Sequence, residues 1–188
     1  MTRKGNVYKV ALNLFKTQGY DKTSVQEIAE ALNLQKGSLY HYITSKETLL
    51  FETVYGTVNK MVEMIRQVQK ENLPPREKLC HAIEMHLLTG TNLLDEFSLM
   101  LQETKYLSPK LKQKILLKKK QYELVFREMI AEGIKEEVFK KLDSKVATFM
   151  ILGALNWLYQ WYSPKGPLSP EEISDIFCEV ILSGICKG

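Results

Sequence analysis

What this sequence lacks narrows it first. No run of about 18 apolar residues occurs, so neither a membrane-spanning helix nor a membrane partner is expected. The opening "MTRKGNVYKV" is basic but passes into an amphipathic pattern instead of the apolar stretch of a signal peptide, and a cytosolic protein is the expectation. Cysteines number only three, Cys80, Cys178 and Cys186. An odd, scattered set offers no disulfide framework and no CxxC metal spacing. His81 and His86, next to Cys80, are five apart on a helix and point away from each other, so no metal site is expected. Gly-rich phosphate loops and nucleophile–base–orienter sets are also missing. Neither enzymatic activity nor a cofactor is therefore expected.

What is present is helical. Hydrophobic residues make up 45% and charged residues 26% of the 188, enough for a real core in one large domain or a small and a medium one. Val7, Val10, Ala11, Leu14 and Phe15 recur at helical spacing, and Gly19 stops them. Val25, Ile28, Ala29 and Leu32 make a second, short stripe, opened by the capping box Ser24/Glu27. A third helix near 36–42 buries Leu39, with Tyr42 and Ile43 as further core candidates. Thr44/Glu47 fits another capping box, at the start of a long helix over about 45–70. Pro75 suits a first helical turn after "ENLPPRE". Further helices are expected at about 76–89, 93–105, 109–132, 143–162 and 169–185, the last behind the capping box Ser169/Glu172, with Gly133 and "YSPKGPL" as stops. The fold class is all-α, with about nine helices and no strand or internal repeat.

Charge is placed unevenly. Residues 1–46 hold seven Lys/Arg against three Asp/Glu, and the rest of the chain holds nineteen of each. The whole excess of +4 thus lies in the first quarter, as expected of a segment that meets a polyanion. The same segment has two helices separated only by "LNL", the layout of a helix-turn-helix at about 24–43. Its second helix would enter the major groove of DNA end-on. Gln35 and Lys36 stand at that helix's start, Gly37 lets the backbone approach the duplex, and Ser38 and Tyr40 offer hydroxyls to phosphate. His41 lies on the outward face. Thr23 and Lys46, flanking the motif, are placed to clamp phosphates from either side.

The stretch "TSVQEIAEALNLQKGSLYHYITSKETLL" (23–50) resembles the N-terminal signature of the TetR family of repressors, a likeness that covers residues 5–50. A Thr opens helix two, "IA" follows, "KGSLYHY" occupies the recognition helix and "SKETL" starts helix four. Ile43 stands where the family usually carries Phe. The resemblance implies phosphate contacts at Thr23, Ser38, Tyr40, Tyr42 and Lys46, and groove-facing positions at Gln35, Lys36, Gly37 and His41. Tyr42 serves equally well as core. It also implies a DNA-binding domain over 1–47 and a ligand-binding and dimerisation domain over 48–188.

In the larger part, Ile173, Ile176, Phe177, Val180, Ile181 and Gly184 form one stripe. With the helix at 143–162, that stripe is expected to make a four-helix bundle with a second copy. Candidate pocket residues are Phe97, Met100, Leu101, Phe126, Met129, Phe149, Met150, Gly153, Asn156, Trp157 and Trp161, each of which also reads as ordinary core. "ETKYLSPKL", "YELVFREMIAEGIKEEVF" and "GALNWLYQWYSPKGPLSPEEI" resemble the ligand domain of acyl-CoA-responsive TetR repressors of fatty-acid and sterol degradation, over about 103–176. Ser163 stands where those proteins often carry a basic residue. Lys105, Lys110, Lys112, Lys114, Lys118, Lys119 and Lys120 form an acid-free run, a solvated face or a favourable field for coenzyme A phosphates. The expectation is a repressor that a long-chain acyl-CoA releases from a near-palindromic double-stranded operator. A hydrophobic drug-like effector is the alternative ligand. From another class, a helical interaction protein that does not bind DNA would leave the clustered charge unexplained.

Overall fold

The computed structural model describes residues 2–187. It contains ten α-helical segments: α1 (Arg3–Gln18), α2 (Val25–Ala31), α3 (Lys36–Leu39), α4 (Lys46–Gln69), α5 (Pro75–Asn92), α6 (Leu94–Gln102), α7 (Pro109–Lys135), α8 (Ser144–Asn156), α9 (Leu158–Trp161) and α10 (Pro170–Ile185), with one 3₁₀ turn at Thr104–Tyr106. Among the described residues the only β pairing is a single bridge between Phe139 and Cys186. The all-α expectation holds. No helix among them is long and apolar enough to cross a membrane.

The predicted caps at α2 and α10 are formed. Ser24 and Ser169 each accept from the amide three residues on, and Glu27 and Glu172 reach back. The box expected at Thr44/Glu47 is not. Ser45 caps α4 by accepting from the Thr48 amide at 3.0 Å, while Glu47 accepts from the Ser108 amide at 2.6 Å, at the start of α7. Two further corrections concern stops. Helix α7 runs past Gly133, whose missing Cβ leaves room for the Phe139 ring; it ends where Val138 and Phe139 both donate to the Gly133 carbonyl. The expected helix over 143–162 is broken at Trp157 into α8 and α9.

Two compact units are present. The first joins Met1–Val58 with Leu94–Leu117, and the second joins Asn59–Leu93 with Lys118–Gly188, so α4 and α7 contribute to both. In the first unit Val7, Ala11 and Phe15 of α1 are buried, as are Ile28, Ala29, Leu39, Ile43, Leu49 and Leu50. The isoleucine at 43 fills a core position, as its place in the pattern implies. In the second unit, α10 packs on α5, and Ile173, Ile181, Leu182 and Ile185 are buried together with Leu79, Ile83 and Leu87.

The cysteine expectation is overturned. Cys80 of α5 and Cys178 of α10, 98 residues apart, form a disulfide with Cα atoms 5.3 Å apart; Cys186 is free and buried. The two histidines beside Cys80 have separate engagements. His81 pairs with Glu71 at 2.7 Å, and His86 lies against the Tyr122 hydroxyl at 2.8 Å.

Candidate nucleic-acid interface

The head of the first unit is set by its turns. Gly19 closes α1 at φ +90°, a conformation L side chains rarely adopt, and its amide donates to the Phe15 carbonyl. The link between α2 and α3 turns at Asn33, φ 54°, a left-handed position that asparagine tolerates. The amides of Leu32 and Leu34 both donate to the Ala29 carbonyl there. This fixes α3 across α2, with Leu39 fully buried as its anchor.

Anchoring by Leu39 turns the rest of the segment outward. Gln35, Lys36, Gly37, Tyr40 and His41 are exposed, and Ser38 and Tyr42 are half-buried. These seven predicted site residues are brought together on one segment. Helix α3 proper covers only Lys36–Leu39, followed by turns to Tyr42, which is shorter than the expected 36–42. At Gly37 a Cβ would meet nothing within 4 Å and φ is not positive. Nothing inside the protein requires glycine there.

Thr23 and Lys46 do not fit the expected phosphate clamp. Thr23 is 1% exposed; its hydroxyl donates to the Gly19 carbonyl at 2.8 Å and accepts from Gln18 Nε2 at 3.3 Å. The Lys46 ammonium donates to the carbonyls of Tyr20 (2.9 Å), Thr23 (2.8 Å) and Asp21 (3.4 Å). It also lies 4.3 Å from the centre of the Tyr20 ring. An ammonium has three donors, and all three are taken by the α1–α2 turn. Burial, with Glu47 and Asp21 adding to it, raises the Tyr20 pKa, so the ring under Lys46 stays neutral. Thr23 thus closes the turn between α1 and α2, and Lys46 ties that turn to the start of α4.

The pocket residues fare differently. Phe97 and Met100 are buried and Leu101 half-buried in the first unit; Phe126 and Met129 are buried in the second. Phe149, Met150, Gly153, Trp157 and Trp161 are exposed and Asn156 is half-buried. The aromatic helix therefore turns its large side chains outward and buries Ala147, Thr148, Ile151, Leu152 and Leu155 instead. This corrects the expectation that α8 lines a cavity with its aromatics. Val146, missed in the sequence, belongs to the same outer face at 66% exposure. A groove of about 320 Å³ lies between Leu142, Val146 and Met150 on one side and Gly184 and Ile185 on the other.

The stripe on α10 is likewise split. Ile173 and Ile181 are buried in the second unit, whereas Ile176, Val180 and Gly184 are exposed and Phe177 is half-buried. Burial in the second unit also holds a polar pair the sequence did not announce. His86 is pushed down to about 3 by burial and the Tyr122 pKa is raised by it, and the Phe126 ring packs 5.4 Å from Tyr122. The lysine run is partly engaged: Lys105 lies over Tyr106, Lys114 over Phe51, and Lys120 pairs with Glu123.

Residues 7–53 match the family model "Bacterial regulatory proteins, tetR family", and residues 72–185 match "Tetracyclin repressor-like, C-terminal domain". The fatty acid metabolism regulator protein of Bacillus subtilis (strain 168) is 27% identical over 184 residues, 95% of this chain and 93% of that protein. The TetR family transcriptional regulator PfmR from Thermus thermophilus has a similar structure, with a TM-score of 0.89 at 32% identity over 94% of this chain and 97% of that one. AibR, solved in complex with isovaleryl coenzyme A and operator DNA, gives a TM-score of 0.86 at 28% identity over 95% and 97%.

Proposed function

From the premise that this chain belongs to the TetR family of bacterial regulatory proteins, we propose that it is a dimeric repressor which a long-chain acyl-CoA releases from a near-palindromic operator. Family membership makes it a ligand-responsive, DNA-binding transcriptional regulator. The finer reading divides it into a reading head, 1–47, and a ligand and dimerisation part, 48–188. In the head, Gln35, Lys36, Gly37 and His41 face the groove, and Ser38, Tyr40 and Tyr42 supply hydroxyls to phosphate. The observation that carries this reading is the outward cluster on a buried Leu39 anchor, with a glycine that no internal contact explains.

Dimerisation is proposed through the outer faces of α8 and α10. Val146, Phe149, Met150, Trp157, Ile176 and Val180 are all exposed on the second unit. Isolated apolar side chains on a surface are ordinary, but two adjoining helices with apolar outer stripes favour burial against a partner. A second copy presents the same stripes, which suits a two-fold four-helix bundle. Trp157 and Trp161 thus pass from the effector pocket to this face.

An acyl-CoA effector is supported by the likeness along almost the whole chain to a regulator of fatty acid metabolism and to a protein solved with a coenzyme A thioester. Phe126 and Met129, beside His86 and Tyr122, are the proposed effector wall within the second unit. Linkage requires that the effector bind the DNA-incompetent dimer more tightly than the competent one. Helix α4 is continuous from Lys46 in the head to Gln69, which gives a displacement at one end a route to the other. Two heads that must enter half-sites about 34–36 Å apart lose register with a shift of a few Å.

The test uses a duplex that the protein selects from a random library, followed by fluorescence anisotropy. Acyl-CoAs of increasing chain length should release the duplex, with about a fourfold gain per CH₂ until the site is full, from roughly 0.8 kcal/mol per methylene. Free CoA and free fatty acid at equal concentration should not. If acyl-CoAs of every length leave the complex intact while hydrophobic drug-like compounds dissolve it, the effector is of the second kind.

A further inference from the structure

Cys80 and Cys178 are the feature that neither DNA reading nor effector binding uses. Their Cα atoms lie 5.3 Å apart, inside the span of about 4.4–6.8 Å that a disulfide needs. Cys178 is buried, on the side of α10 that faces α5, while Cys80 is half-buried on α5 and keeps a path to solvent. The residues flanking Cys178 on the opposite side of α10 are Ile176 and Val180, which belong to the outer apolar face. A covalent tie at this point fixes that face relative to α5. Without it, α10 is held by the packing of Ile173, Ile181, Leu182 and Ile185 and by its terminal bond from the Lys140 amide to the Ile185 carbonyl.

We propose that Cys80 and Cys178 form a reversible thiol-oxidation site for hydrogen peroxide, whose closed state braces α10 against α5 and tightens the dimer. This rests on the reading of α8 and α10 as the dimer face. In the closing reaction the Cys80 thiolate attacks one peroxide oxygen. The S–O bond forms as the O–O bond breaks, and hydroxide leaves and becomes water with the thiol's proton. The Cys178 sulfur then attacks the Cys80 sulfur, the S–S bond forms as the S–O bond breaks, and a second water carries off the Cys178 proton. Two thiols are oxidised and one peroxide is reduced to two waters. A small dithiol reopens the bridge by exchange, becoming a disulfide itself. Cys80 is the attacked and attacking sulfur because it is the one solvent reaches. The brace acts by preorganisation: the outer face no longer has to be ordered at the moment of association.

The experiment uses the full chain, reduced with a dithiol and then treated with stoichiometric hydrogen peroxide. Alkylation and peptide mass spectrometry should show all three thiols before peroxide, and only Cys186 after it. The bridge closes a loop of 98 residues, so the melting temperature should rise by roughly 9–19 °C. By sedimentation equilibrium the dimer dissociation constant should fall about tenfold, because a face ordered beforehand loses less conformational entropy on association. Cys80→Ser and Cys178→Ser should each abolish both shifts, and Cys186→Ser should keep them. If Cys80 and Cys178 remain alkylatable after peroxide, the proposal is wrong. A bridge that forms while the dimer constant stays unchanged also overturns it, and leaves the dimer reading standing. A chain that is monomeric in both redox states overturns the dimer reading itself and this inference with it.

Discussion

Lys46 offers a direct contest between two physical accounts. Read from the sequence, it clamps a phosphate; read from the structure, its ammonium is used up on the carbonyls of Tyr20, Asp21 and Thr23. Replacing it with methionine keeps the aliphatic stem and deletes the three donors. Two of the bonds, at 2.9 and 2.8 Å, are well formed and the third, at 3.4 Å, is weak. Hydrogen bonds to a charged group contribute about 1.5–3 kcal/mol each when buried. The site is only half-buried, so water can replace part of what is lost, and roughly half of that range applies. The contact with the Tyr20 ring adds about 0.5–1 kcal/mol.

The expected cost is therefore about 2–4 kcal/mol, a fall in melting temperature of roughly 4–16 °C for a chain of this size. Scanning calorimetry measures it, under conditions where protein concentration and redox state are held fixed. In parallel, operator affinity is followed across salt. A lost phosphate contact lowers the log–log slope by about 0.9, whereas loss of a structural tie lowers affinity with the slope nearly unchanged. A Lys46→Met protein that melts where the parent does and loses about one unit of slope would overturn the structural account. The phosphate clamp would then be restored.

Four other outcomes are expected. Gly37→Ala should leave stability unchanged or raise it by up to about 1 kcal/mol, because the new Cβ meets nothing within 4 Å, yet it should weaken operator binding measurably; equal binding would remove Gly37 from the interface. Lys36→Ala should cost affinity and about one unit of salt slope with no change in melting, and an unchanged slope would return Lys36 to the solvated surface. Val180→Glu with Phe149→Glu, both exposed in the single chain, should give folded monomers by sedimentation, and persistent dimers would place the interface elsewhere. The fourth concerns pH. His86 titrates near 3 in the fold against 6.5 as the ordinary value, so the unfolded chain binds the extra proton between those limits and stability falls as pH drops below about 6.5. By pH 5 the loss should reach about 2 kcal/mol. His86→Gln should flatten that part of the stability–pH curve, and a mutant curve parallel to the parent's would show that His86 is not the group responsible.

The head was legible because its chemistry is local. Ser24 finds its partners three residues away, and Leu39 and Ile43 follow one face of a short segment; spacing is enough for such features. Three of the failures share a different cause. Glu47 fits a capping box, but its partner is the Ser108 amide 61 residues away. Lys46 looks like any exposed first-turn lysine until the fold brings three carbonyls to it. Cys80 and Cys178 are scattered by the chain and joined by the packing of α5 on α10. Trp157 interrupts a helix with no proline or glycine to announce the break. The first three depend on contacts made across the fold that no period or local motif encodes; nothing in the structure explains the break at Trp157.

The apolar helices show the limit in its sharpest form. On α8 the buried set Ala147, Thr148, Ile151, Leu152 and Leu155 and the exposed set Val146, Phe149, Met150 and Gly153 are both spaced as helical faces. Periodicity finds two stripes and does not say which one meets the chain's own core. The i, i+4 spacing of Trp157 and Trp161, with the resemblance of this stretch to an acyl-CoA-responsive ligand domain, supports an inference that puts both in a pocket. The structure reverses it, because the core of the second unit is already occupied by Leu79, Ile83, Leu87, Phe126 and Ile130, all fully buried, leaving room for only modest side chains from α8. The largest apolar groups are then left outside at 50–60% exposure for both tryptophans. A helix hydrophobic on both sides is buried on both sides. The inner stripe has its partner within the chain; the outer one, with the outer stripe of α10 at Ile176 and Val180, is the surface on which the proposed second copy would sit.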